Sequence, residues 1–136
     1  MNAPRTPLGV KLLAAFFAFG AGMCLLTIIL LLVPGRAADA VWRINPEAQH
    51  NFSAIGAWAF ILMAVVGLAC AFAAAGLATR KPWGRTLAIT VLSINLLGDT
   101  TNAVLRQDYR TLIGLPIAGA ILAYLFSANV RRIFAR

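Results

Sequence analysis

Asn95, Asp99, Asn102 and Arg106 follow one another at intervals of four, three and four residues in a segment that is otherwise mostly apolar. That spacing returns to one side of an α-helix, so the four polar groups form a single stripe. A carboxylate, two amides and a guanidinium are groups that can hold a proton, a cation or a cationic ligand. Asp99 is also the one acid that falls inside an apolar run long enough to cross a bilayer. A charged side chain at the centre of such a helix costs about 2.5–3.5 kcal/mol on insertion scales, so it is paired, faces a cavity or serves a function. Two readings stay open. Either the stripe, flanked by Ser93 and Thr100, lines a small external vestibule, or Asp99 closes a structural network with Asn95, Asn102 and an arginine of the outer loops.

The second concentration of polar chemistry is the stretch 34–52, where Trp42, Arg43, Glu47 and His50 are the candidates for a lid or a docking surface. His50 is the only histidine. A metal site within one chain would have to lean on Glu47 and Asp39, a weak ligand set, and no metal or cofactor is expected. Cys24 and Cys70 lie at depths that differ by roughly 10 Å at 1.5 Å per residue, which puts a disulfide out of reach and leaves them as packing residues. No Ser, His and acid arrangement, no Gly-rich phosphate loop, no C-x-x-C and no paired carboxylates occur, so the chain is expected not to be an enzyme.

The elements that must position these groups are membrane spans. Of 136 residues 61% are hydrophobic, and the apolar residues come in runs near twenty residues long. The expected class is all-α, an integral membrane four-helix bundle in one domain covering 1–136, with spans at about 8–33, 53–78, 83–105 and 114–129 and an external loop at 34–52. Pro34-Gly35 closes the first span. Its apolar region exceeds the usual 7–15 residues of a signal peptide, so a retained anchor is expected. Asn45-Pro46-Glu47 has the pattern of a helix start, with Asn45 as cap, Pro46 at the first position and an acid in the first turn. The loops left over are too short to fold alone.

A net charge of +8 in a soluble protein would suggest nucleic acid. Here the basic residues flank apolar segments, where they set topology and meet anionic lipid, so no nucleic-acid partner is expected. Arg5, Lys11, Arg80, Lys81, Arg85, Arg131, Arg132 and Arg136 fall on one side without an acid. Arg36, Arg43, Arg106 and Arg110 fall on the other, beside Asp39, Glu47 and Asp108. Eight against four places both termini on the cytoplasmic side. Trp42, Trp58 and Trp83 are expected at the interfaces. Helices in lipid associate through small residues, which marks Ala14, Ala18 and Gly22, Gly67, Ala71 and Ala75, and Gly119 with Ala123 as candidate contact rows.

The connector Thr79-Arg80-Lys81-Pro82-Trp83-Gly84-Arg85, together with Asn95-Leu96-Leu97-Gly98-Asp99 and Thr111-Leu112-Ile113-Gly114-Leu115-Pro116, resembles small four-helix bacterial membrane proteins of unassigned function. The resemblance implies a multi-pass protein of the bacterial cytoplasmic membrane and carries no activity. Small multidrug transporters share the length, but their essential acid sits in the first span, where this chain has none. The leading expectation is an accessory or assembly subunit that presents helix faces and the outer loop to other membrane subunits. The alternatives are a homodimeric ion- or proton-coupled carrier or channel using Asp99, and a membrane ligand sensor.

Overall fold

The computed structural model describes residues 7–107 and 112–135. The first run of apolar residues forms α1 (Leu8–Leu32), where no charge follows Lys11 until Arg36. Two short helices follow, α2 (Arg36–Trp42) and α3 (Pro46–Ile55), and then α4 (Ala57–Ala78), α5 (Pro82–Arg106), α6 (Gly114–Phe126) and α7 (Ala128–Phe134). Among the described residues there is no strand. Among the described residues three helices, α1, α4 and α5, are long and apolar enough to cross a membrane, or four spans if the bent pair α6 and α7 counts as one. Their outward surfaces carry Leu12, Phe19, Leu26, Val65 and Leu97, all exposed, the surface expected of helices solvated by lipid.

The stretch 34–52 is more ordered than a loop. Arg36 to Trp42 is helical, and Asn45 caps α3 by accepting a hydrogen bond from the Ala48 amide at 3.1 Å. The helix that starts there does not continue into the second span. Gly56 has φ 62° and ψ −133°, a backbone open to glycine and strained for other residues, and it separates α3 from α4. Ser53, Ala54 and Ile55 therefore belong to α3 and not to α4.

The turn between α4 and α5 satisfies its own backbone. Arg80 adopts a left-handed conformation at φ 56°, Lys81 N–H donates to the Gly76 carbonyl at 2.9 Å, and Arg80 N–H donates to that of Leu77 at 3.2 Å. These are the paired bonds of a Schellman ending, and Pro82 then opens α5 at a position where its missing N–H costs nothing. The tight turn forces two helices together, and glycine makes that feasible. A Cβ on either Gly76 or Gly84 would run into the backbone of the other.

Next to this turn the helices meet in one cluster. Val10, Leu13 and Phe17 of α1, Cys70, Ala73 and Leu77 of α4, Ala88 and Leu92 of α5, Leu125 of α6, and Val130 and Phe134 of α7 are all buried there. Along α1 and α4 the close contacts are Gly20 against the Cys70 sulfur and Gly67 against Cys24. The two free cysteines are thus offset by one helical turn, about 6 Å, and not the roughly 10 Å that flush helix ends would give. The reason is that α1 starts about a turn beyond the end of α4, reaching the region where α6 gives way to α7. Of the small-residue rows, Ala18, Gly22, Ala71, Ala75 and Ala123 are exposed. The observed α1 and α4 contact runs through Gly20, Ala21 and Cys24 against Gly67 and Cys70, so it uses Gly67 of the expected row and other positions on α1.

The last helical stretch is broken in two. Ser127, with ψ 147°, leaves the helix, and α7 resumes at 59° to α6 with the Ser127 hydroxyl oxygen accepting from the Val130 amide at 3.4 Å. The break frees the Leu125 carbonyl from its intrahelical partner. Arg85 Nε donates to it at 2.9 Å, while the guanidinium carbon sits 6.0 Å from the centre of the Phe126 ring.

Candidate functional site

Proline at the first position, a capped turn before it and no further helix breaker keep α5 unbroken, so the stripe is displayed as the spacing requires. Asn95, Asp99 and Asn102 lie on its second half and Arg106 is its last residue; Asp108, Tyr109, Arg110 and Thr111 fall outside the described residues.

Burial along α5 gives the stripe its meaning. Gly84, Ala88, Leu92 and Ala103 are buried. Asp99 follows Leu92 by seven residues and precedes Ala103 by four, so at 3.6 residues per turn it lies within about 20–40° of both around the helix. It belongs to the inward face. Yet Asp99 and Asn95 are exposed and Asn102 is half-buried. The face of α5 that is covered near the α4 turn, and again at Ala103, is left uncovered at the depth of the carboxylate. Gly114, the first residue of α6, borders the gap: a Cβ built on it would stand 3.9 Å from Asp99 Oδ2.

Within the gap the polar groups are unused. Asp99, Asn95 and Asn102 make no side-chain hydrogen bond or ion pair with a described residue. Of the nearby hydroxyls, those of Thr100 and Thr101 are committed elsewhere, each donating at 2.7 Å to the carbonyls four residues back, those of Leu96 and Leu97, whereas Ser93 is exposed and makes no such bond to a described residue. Such back-bonding satisfies a hydroxyl inside lipid and removes its proton from ligand binding. Thr27 on α1 does the same with Met23. With Ser127 serving as a cap and Cys24 and Cys70 packed, the polar surface inside the apolar helices is concentrated on α5.

The outer stretch is positioned differently. Trp42 is only 9% exposed and packs on Phe52, ring centres 6.2 Å apart, so its indole ties α2 to α3. Arg43, Glu47 and His50 are exposed. They are available to a partner, whereas Trp42 is occupied. No hydrogen bond or ion pair joins Arg43, Glu47 or His50 to Asp99, and no group of three or more His, Cys, Asp and Glu side chains among the described residues could hold a metal ion. Trp58 and Trp83, at the starts of α4 and α5, are exposed, as interfacial anchors would be.

Sequence reasoning missed Arg85, which it treated as a topology charge. The bond from Arg85 to Leu125 spans forty residues, and the one local hint was a serine, Ser127, inside an apolar run. Comparison with protein-family models, curated proteins and solved structures finds no match.

Proposed function

We propose that the chain is a four-span membrane protein with both ends of the bundle's chain on the cytoplasmic side, acting as a non-enzymatic accessory or assembly subunit. Its partner completes the inward face of α5. The observation that carries this is the uncovered Asp99: a carboxylate on the same helical face as buried Leu92 and Ala103, yet exposed and without a described partner. A carboxylate at that depth is stabilised by a donor on a neighbouring helix, an arginine, lysine or amide, and this chain's own described helices supply none. The uneven distribution of basic residues supports the orientation. The exposed Arg43, Glu47 and His50 give the same partner a contact outside the membrane.

The test is gentle extraction of a tagged copy from its own host, with particle sizing and identification of proteins retained at fixed stoichiometry. A foreign subunit is expected to co-purify, and Asp99→Asn is expected to reduce its retention about tenfold, the equivalent of ~1.4 kcal/mol. A particle containing this chain alone would contradict the proposal.

The unpartnered carboxylate favours one other reading, a homodimeric ion- or proton-coupled carrier or channel in which a second copy supplies the missing polar surface. That reading expects Asp99→Asn to abolish flux in reconstituted vesicles while the protein remains folded.

A further inference from the structure

The flank of α7 that faces away from the core has a composition of its own. Val130 and Phe134 are buried, and on the other flank Ala128, Arg131, Arg132 and Ala135, spaced like successive turns of one helical side, line a depression of about 320 Å³. We propose that this depression binds the phosphate of an anionic phospholipid headgroup through Arg131 and Arg132. The inference rests on reading α6 and α7 as the broken fourth span, and it concerns a region remote from Asp99.

Three features converge on this ligand. The first is placement: the 59° bend at Ser127 turns α7 away from the direction of its span, and Val130 and Phe134 hold it against the end of the helical core. A helix so placed lies in the headgroup layer, where exposed Trp83 also sits at the start of α5. The second is charge. Lys11, Lys81, Arg131 and Arg132 are exposed at this end, while the described acids Asp39, Glu47 and Asp99 lie in α2, in α3 and on the far half of α5. No described acid engages either guanidinium. The third is shape. The alanines at both ends of the depression leave room between the side chains, and the planar donor forks of arginine match the paired oxygens of a phosphodiester. Arg85 is committed to the Leu125 carbonyl and is not part of the site.

The experiment uses the full chain in neutral detergent, offered equimolar phosphatidylglycerol and phosphatidylcholine of identical acyl chains, with bound lipids counted by native mass spectrometry. At about 1 kcal/mol per basic residue near the surface, the two arginines are expected to give a 10- to 30-fold preference for phosphatidylglycerol. Arg131→Gln with Arg132→Gln should remove most of it, whereas Lys11→Gln with Lys81→Gln, an equal loss of charge outside the depression, should remove clearly less. Equal losses from both pairs, or no preference in the parent protein, would overturn the proposal. Should the glutamine pair fail to fold, Arg131→Lys with Arg132→Lys keeps the charge and loses the forks. It is expected to lose about threefold or more of the preference, and full retention would overturn the proposal. Competing inorganic phosphate is expected to leave the lipid bound; displacement would assign the depression to a soluble anion instead. Flotation on neutral phosphatidylcholine vesicles separates the two levels of the argument, because a chain that floats without headgroup preference loses this inference alone, and one that fails to float loses the membrane reading as well.

Discussion

Near the α4–α5 turn, residues from α1, α4, α5, α6 and α7 share one buried cluster; farther along α5 the same face is bare at Asn95 and Asp99 before it is covered again at Ala103. Both ends are built from similar apolar helices with small residues interspersed. What differs is shape. Close to the turn, Gly76 meets Gly84 and Gly9 makes room for the Tyr124 ring, while Gly98 and Gly119 have nothing within 4 Å. In lipid there is no hydrophobic drive to pull helices together, so a small residue makes a contact only where something else brings the backbones into register. The short turn at 79–81 does so for α4 and α5, and the Arg85 bond does so for α5 and α6. The end that carries Asp99 has neither device among its described residues, and its inward face stays uncovered at the carboxylate.

The sharpest way to break the contrast is to fill the glycine crossing. Gly84→Leu should cost about 3 kcal/mol or more, because the new side chain meets backbone that cannot give way, and unfolding of the detergent-solubilised protein would show it as a marked fall in midpoint. A smaller effect is expected for Arg85→Ala. It leaves the Leu125 carbonyl without its side-chain donor at the Ser127 break, a loss of about 1–3 kcal/mol, and hydrogen exchange should show α7 released before α1 and α4 open. The smallest effect sharpens the comparison from the other side. Gly98→Ala on α5, in open space and helical, should be neutral or stabilising by up to about 1 kcal/mol in the same unfolding assay. A Gly98→Ala variant as damaging as Gly84→Leu would mean that the polar end is packed after all.

Much of the helical layout was legible because long apolar runs and strong stop signals are local properties. Pro34-Gly35 ends α1, Asn45-Pro46 starts α3, and Lys81-Pro82 starts α5. The breaks at Gly56 and Ser127 were not legible: each is a single residue in an otherwise helical run, and its backbone is decided by what the flanking helices pack against. The rows chosen by four-residue spacing caught Ala14 and Gly67 but also took in Ala18, Gly22, Ala71 and Ala75, which are exposed, for a related reason. Spacing identifies which residues share a side, while the partner helix decides which side is used. The polar stripe was visible from four residue types and their intervals. Its exposure on an inward face was not, because that depends on helices that fail to reach it.

The central claim is that a different polypeptide covers the inward face of α5 at Asp99, and its most direct test is a photoreactive residue placed at Asn95, next to the carboxylate and itself exposed. On irradiation in the native host, the account predicts one cross-linked product joining this chain to a different membrane protein, with the same label at exposed Leu97, on the other side of the helix, giving no such product. Cross-linking to lipid alone, or only to a second copy of the chain, would contradict it.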